Sequence, residues 1–171
     1  KDNLPVILKS KLNRNIDQAI SELSHEYEIG SILNSEYVVR YLALENDNDP
    51  PVLVLQDDSM ETLSQLIPLG HFNLPEFIQV ATGIVSAIKN VHEHGLFHKD
   101  INPSNIIVSK SFDKVKLIDF GLSTRINRVD VPLQSPAVLS GTIAYISPEQ
   151  TGRINRSVDY RSDLYSLGVT L

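Results

Sequence analysis

The sequence predicts an α+β domain, and three observations predict it. Short runs rich in Val, Ile and Leu, set apart by turn residues, occur at 3–11, 37–45, 52–56 and 106–108. Two longer segments, 15–33 and 73–95, carry apolar residues at helical spacing instead. Beyond them a stretch dense in acids and amides, His98 to Gly121, sits at the ends of short β-type runs.

From Asn3 to Lys11 a turn leads into a strand in which Lys9 follows the apolar Val6, Ile7 and Leu8. A helix is expected from about Asn15 to Leu33, with Ile16, Ile20, Leu23, Tyr27 and Gly30 as its apolar stripe. Strands follow over Tyr37 to Glu45 and Val52 to Gln56. The joint between them, Asn46 to Pro51, alternates acids but lacks the Gly and closing Glu of a calcium loop, so it reads as a turn. Asn73 with Glu76 makes a capping-box pattern. The helix it opens carries Phe77, Val80, Ala81, Ile84, Ala87, Ile88 and Val91 toward a core and stops near Gly95. His92 and His94 fall in its last turn, where imidazolium suits the helix dipole. Residues two apart on a helix face different ways, so these histidines and His98 do not read as a zinc site.

The chain opens at Lys1 without Met and closes inside an apolar run, Leu164 to Leu171, with no capping signal, so it reads as an excerpt of something longer. At 171 residues, 42% apolar and 21% charged, it has the material for one domain with a real core. A net charge of −6 without any Lys/Arg run favours neither a nucleic-acid nor a membrane surface. The apolar runs are far shorter than a membrane span, and no signal peptide is visible. Without Cys there is neither a disulfide framework nor a thiolate metal site, which is compatible with a reducing compartment; the expected location is cytoplasmic. None of the eight Gly residues makes a G-x-G-x-x-G or Walker A pattern, which excludes Rossmann and P-loop readings.

Within His98 to Gly121 three polar groups share one task. Asp100 lies in a loop after a helix, Asn105 at the mouth of Ile106-Ile107-Val108, and Asp119 at the end of the next run, so a hairpin brings all three to one end. Asp100 can accept or orient a hydroxyl proton, while Asn105 and Asp119 supply the hard oxygen ligands that Mg²⁺ prefers. Phosphoryl transfer needs that division of labour, because its catalysis is mostly positioning and charge neutralisation. Any one of these residues alone would be a turn former; the ordered set carries the weight. His98-Lys99-Asp100 with Asn105 five residues after Asp100, followed by Asp119-Phe120-Gly121, resembles the protein kinase signature.

The resemblance covers essentially the whole chain. It implies a protein-kinase-like bilobal fold truncated at both ends, without the Gly-rich strands and most of the C-lobe helices. About 1–57 would be the remainder of the N-lobe and about 58–171 the first part of the C-lobe. It implies ATP and Mg²⁺ as cofactors and a protein with a Ser or Thr acceptor as substrate. Lys9 would meet the α/β-phosphates, oriented by a Glu of the following helix. Of Glu22, Glu26 and Glu28, counting back from Tyr37–Tyr41 favours Glu26, with Glu22 as fallback. Gln56 and Asp58 fall where the hinge would meet the nucleotide. Asp100 would be the base, and Asn105 and Asp119 would bind Mg²⁺. His98 would hold the backbone near Asp119, and Asp163 would brace the catalytic loop. Gly141 to Glu149 resembles the substrate-docking segment, with Thr142 bonding near Asp100 and Glu149 pairing with a distant Arg. Thr124, Ser135, Ser140 and Thr142 are the candidate phosphosites.

Two residues depart from the pattern. Lys99 replaces the usual arginine, which implies less dependence on phosphorylation of the activation segment. Asn102 stands where Ser/Thr kinases carry a lysine near the transferred phosphate; an amide brings no charge, a loss on the order of 10²-fold in rate. Asn102 therefore admits an ATP-binding pseudokinase that docks partners or regulates a longer chain. A small-molecule phosphotransferase shares the acid and amide pattern, but Thr142 to Glu149 argues against it. The wording of 98–106 and 141–163 is similar to the kinase domain that opens very large multidomain sensor proteins, in which an ATPase module and often a histidine kinase module follow. Further domains of the same chain are then expected partners, and the 171-residue piece alone is expected to be inactive.

Overall fold

The computed structural model describes residues 4–11, 15–46, 48, 50–70, 72–125, 143–152 and 156–171. Three strands, β1 (Val6–Ser10), β2 (Tyr41–Glu45) and β3 (Val52–Gln56), form an antiparallel sheet in the order β1-β3-β2. Its register sets Lys9 opposite Leu53 and Tyr41 opposite Leu55. Helix α1 (Ile16–Ile32) packs on β2 and β3, started by Asn15, whose side chain accepts from the Gln18 N–H at 3.3 Å.

The buried face of α1 is Ala19, Leu23, Glu26, Ile29 and Gly30. Of the expected stripe, Leu23 and Gly30 are buried, whereas Ile16 is exposed and Ile20 and Tyr27 are only half-buried. An interior carboxylate explains the rotation, since the helix turns Glu26 inward rather than maximising apolar burial. Gly30 lets the ring of Tyr41 lie against the helix; a Cβ there would sit 2.2 Å from Tyr41 Cε2.

A second antiparallel sheet consists of β4 (Glu61–Thr62), β6 (Ile106–Val108) and β7 (Val115–Leu117) in the order β4-β6-β7. The short helix α2 (Leu63–Leu66) follows β4 directly. Helix α3 (Leu74–Glu93) packs on β7, and Gly83 permits the approach, because a Cβ there would come within 2.5 Å of Val115 Cγ2. Its capping box is formed in both directions, Glu76 N–H to Asn73 Oδ1 at 3.0 Å and Asn73 N–H to Glu76 Oε2 at 2.9 Å. Val80, Ile84, Ala87, Ile88 and Val91 are buried. Phe77 and Ala81 are not, so the first turns of α3 reach past the edge of the core.

The strand expected over Tyr37 to Glu45 begins only at Tyr41. Residues 37–39 pair with β7 instead: the Leu117 N–H donates to Tyr37 O at 2.9 Å and the Val39 N–H to Leu117 O at 3.2 Å. That exchange stitches the first sheet to the second. Two-residue strands β5 (Leu96–Phe97) and β8 (Thr124–Arg125) pair antiparallel, and helix α4 (Arg161–Thr170) closes the described chain. Leu23, Leu53, Ile84, Leu117 and Phe120 belong to one continuous apolar cluster spanning both sheets. Each fully buried side chain of this size contributes about 1.5–3 kcal/mol. No described helix is long and apolar enough to cross a membrane.

Candidate active site

The β5–β8 ladder holds the stretch before Asp100 beside the stretch after Gly121. Between them three residues other than glycine adopt left-handed conformations, Phe112 with φ 61° in the β6–β7 turn and, at the site, Lys99 with φ 69° and Asp119 with φ 63°. Such a conformation costs an L-residue about 1–2 kcal/mol, so its surroundings must impose it. Asp163, fully buried on α4, does this for Lys99. Its Oδ1 accepts the Lys99 N–H at 2.8 Å, and its Oδ2 accepts the His98 N–H at 2.9 Å and His92 Nε2 at 2.8 Å.

After the left-handed step, Asn102 and Asn105 grip Asp100. Asn102 Oδ1 accepts the Ser104 N–H at 2.9 Å, opening the single 3₁₀ turn Pro103–Asn105, so its Nδ2 points back to Asp100 O at 3.2 Å and Asp100 Oδ1 at 3.0 Å. Asn105 Nδ2 donates to Asp100 O at 2.9 Å and to Asp100 Oδ2 at 2.7 Å. One amide thus holds each carboxylate oxygen. Burial pushes the Asp100 carboxyl above its ordinary range and the nearby Asp119 adds to that, while His98, Asn105 and Asn102 oppose it without cancelling it.

Across from this loop, Lys9 Nζ on β1 lies 2.8 Å from each oxygen of Glu26 and 3.0 Å from Asp119 Oδ1. Glu22 reaches Lys11 instead, and Glu28 lies 3.7 Å from Arg125. Glu26 is 1% exposed, and the Tyr41 hydroxyl donates to its Oε1 at 3.2 Å. Burial works against the charged Lys9, but Asp119 and Glu26 override it and its pKa is raised. Asp119 behaves conversely: burial favours its neutral form, yet Lys9 and the Gly121 N–H hold it below its ordinary range. Burial, with the charge of Glu26 beside it, raises the Tyr41 hydroxyl well above its usual value.

Phe120 packs between these groups, fully buried, with its ring centroid 4.7 Å from that of His98 and 6.4 Å from that of Tyr41. His98 Nε2 meets Ile118 O at 3.1 Å, and since a carbonyl can only accept, Nε2 donates. His98 Nδ1 in turn accepts the Asp100 N–H at 3.3 Å. Ser123 Oγ donates to His98 O at 3.1 Å, and His25 of α1 donates from Nε2 to Ser123 O at 2.9 Å.

The structure therefore gathers Lys9, Glu26 and Asp119 in one cluster and Asp100, Asn102 and Asn105 in a neighbouring one. Gln56, which ends β3, and Asp58 just past it stand apart: Gln56 Nε2 donates to Asp58 Oδ1 at 3.0 Å and Lys116 Nζ to Asp58 Oδ2 at 2.8 Å. Among the described residues no hydrogen bond joins them to either cluster. Glu149 accepts from Ser162 Oγ at 2.8 Å. Thr142, Ser135 and Ser140 lie outside the described residues, and Thr124 is half-buried on β8. Sequence reasoning missed His25, Tyr41, Ser123 and the Asp163 contact of His92. Their partners are far off in the chain, and a lone His or Tyr carries no local signal of such a partner.

A hard divalent cation fits the oxygens on offer. Among the described residues the Asn105 bonds to Asp100 use Nδ2 and the Asp119 contacts to Lys9 and Gly121 use Oδ1, so Asn105 Oδ1 and Asp119 Oδ2 could take a cation. No cluster of three or more acidic, His or Cys groups that could hold a metal ion occurs among the described residues. Mg²⁺ needs none, since it keeps waters and takes one or two carboxylates together with substrate phosphates.

Residues 1–171 match the protein kinase domain family. A probable serine/threonine-protein kinase of Streptomyces coelicolor, SCO3848, is 34% identical over 122 residues, covering 71% of this chain and 18% of that protein. The probable serine/threonine-protein kinase PknB of Lactococcus lactis is 32% identical over 162 residues, 90% of this chain and 22% of that protein. Serine/threonine-protein kinase PknL of Mycobacterium tuberculosis is 33% identical over 168 residues, 96% of this chain and 41% of that protein. The matched region thus spans between 18% and 41% of the length of these relatives. With residues 1–171 all matched by the family and the relatives named as serine/threonine kinases, the chain belongs to the protein kinase domain family.

Proposed function

We propose that the chain is the core of a serine/threonine protein kinase that moves the γ-phosphoryl group of ATP, with Mg²⁺, to a hydroxyl of a protein acceptor. The observation that carries this is the carboxylate of Asp100, raised in pKa and held by one amide on each oxygen, beside a lysine gripped by two acids.

Lys9, positioned by Glu26, would pair with α/β-phosphate oxygens. Asn105 Oδ1 and Asp119 Oδ2 would hold Mg²⁺, which neutralises charge on the phosphate oxygens when bound. Asp100 would orient the acceptor hydroxyl and take its proton as the acceptor oxygen bonds to the γ-phosphorus. The bond from that phosphorus to the β-bridging oxygen breaks, and ADP leaves. Asn102 keeps Asp100 aimed rather than supplying charge, which supports an active enzyme lacking the usual lysine. Gln56 and Asp58, held by Lys116, would face the nucleotide at the joint between an N-lobe of about 1–57 and a C-lobe of about 58–171. A cytoplasmic signalling protein with further domains, an ATPase and a histidine kinase module among them, is the setting we propose, since the relatives extend well past the matched region.

A nucleotide-binding pseudokinase is the second reading, favoured by the uncharged Asn102, which is 2% exposed with its amide engaged by Asp100. Incubation with γ-labelled ATP and Mg²⁺ separates the two. Label on Ser or Thr of a protein acceptor is expected; Mg²⁺-dependent nucleotide binding without transfer to any acceptor or to the protein itself would favour the pseudokinase.

A further inference from the structure

The left-handed Lys99 residue is clamped from more sides than Asp163 alone. Its N–H goes to Asp163, the preceding carbonyl of His98 to Ser123, and its own carbonyl to Gln150 Nε2 at 2.8 Å. This last carbonyl belongs to the same peptide plane as the Asp100 N–H, which rests on His98 Nδ1. Rotating that plane would swing the Asp100 side chain away from the two amides that aim it.

Gln150 reaches the loop from the position directly after Gly141 to Glu149, the stretch whose sequence resembles an acceptor-docking segment. Its far end is fixed there: Gln150 Oε1 accepts Ser147 Oγ at 2.9 Å and the Ser147 N–H at 3.3 Å, and Ser147 is fully buried. Only an amide satisfies both ends, donating to a carbonyl at one and accepting from a hydroxyl and an N–H at the other. A carboxylate would set an oxygen against Lys99 O, and an apolar chain of equal length would remove the bond to Lys99 O and the Gln150 acceptor of the Ser147 Oγ and N–H. The neighbouring Thr151 lies past that segment and, among the described residues, its side chain makes only a local bond, Oγ1 to Pro148 O at 2.8 Å, so it provides a nearby control.

We infer that Gln150 is a positioning residue that couples the Gly141 to Glu149 segment, through Ser147, to the aim of Asp100, so that seating of the acceptor on that segment is transmitted to the base. The inference rests on the proposed role of Asp100. Among the described residues Gln150 makes no hydrogen bond to Lys9, Gln56, Asp58, Asn105 or Asp119, so MgATP affinity is expected to depend little on this link.

The test compares wild type, Gln150→Met, Gln150→Glu and Thr151→Val in the full protein. It reads kcat for phosphoryl transfer, KM for a protein acceptor, MgATP affinity, and amide hydrogen exchange of the peptide 98–105. Both Gln150 variants are expected to lose about 10–10²-fold in kcat, the scale for a misplaced catalytic group. MgATP affinity stays within twofold, acceptor KM rises, and exchange of 98–105 quickens. Thr151→Val leaves all four readouts near wild type. Gln150 variants with wild-type kcat and exchange would overturn the proposal, as would losses shared by Thr151→Val or matched by an equal loss of MgATP affinity, which mark a general folding defect. A wild type that transfers no phosphate would overturn the kinase reading and the catalytic meaning of the link with it. Exchange of 98–105 then shows whether the link itself exists.

Discussion

Replacing Asp163 with alanine removes the acceptor of two backbone N–H groups and of His92 in one step. The His98 N–H bond is buried, whereas the Lys99 N–H bond is only partly so. A buried donor left without a partner costs about 1–3 kcal/mol, so the two together cost about 3 kcal/mol once the more open Lys99 N–H is discounted. His92, with its side chain 20% exposed, recovers a bond to water and adds little. About 3 kcal/mol is a large part of the 5–15 kcal/mol typical of a whole domain. At an urea m-value of about 2 kcal/mol per M it lowers the midpoint by about 1.5 M. Asp163→Asn keeps one accepting oxygen but turns an NH₂ toward a donor, so it falls between wild type and alanine; His92→Ala loses under about 1 kcal/mol. Urea unfolding of the four proteins at constant m checks the series. A loss below about 1 kcal/mol for Asp163→Ala, or His92→Ala as damaging as Asp163→Ala, would refute the claim that this carboxylate clamps the loop.

Gly30→Ala, which on helix propensity alone stabilises by about 1 kcal/mol, is expected to destabilise by about 1–3 kcal/mol, because its Cβ would overlap the Tyr41 ring; a raised melting temperature would contradict the packing described. Asp119 is held below its ordinary 3.8 chiefly by Lys9, against the pull of burial. Its folded pKa is therefore the lower one, and its contribution to stability is whole above the unfolded value and lost as pH falls through the folded one. Urea midpoints of wild type and Asp119→Asn measured between about pH 5 and pH 2 should converge toward the acid end, and parallel curves would count against the Lys9 contact.

The central loop was the most legible part of the sequence, because Asp100 and Asn105 lie five positions apart in one turn and the short β6–β7 hairpin that follows carries the chain back to Asp119. Glu26 was legible through its spacing from the next strand, although the apolar stripe of α1 was not: its inward face includes a carboxylate, and periodicity counts only apolar residues. Tyr37 to Arg40 read as strand and pairs in part as one, but with β7, a partner that alternation along the chain does not reveal. The two-residue strand β4 and the single-turn helix α2 are too short for any period to register. His92 looked like a helix-dipole residue, and its partner Asp163 lies 71 positions away. Gln150 was hidden for the same reason, as its acceptor is a backbone carbonyl that any residue could supply.

The most direct measurement sets Asp100→Asn beside wild type and follows both MgATP affinity and single-turnover transfer of γ-phosphate to a protein acceptor. The account predicts MgATP affinity within about twofold and transfer slowed by about 10²–10⁴-fold, the scale of a lost general base. Transfer within about threefold of wild type, with nucleotide still bound, would contradict the assignment of Asp100 as the base.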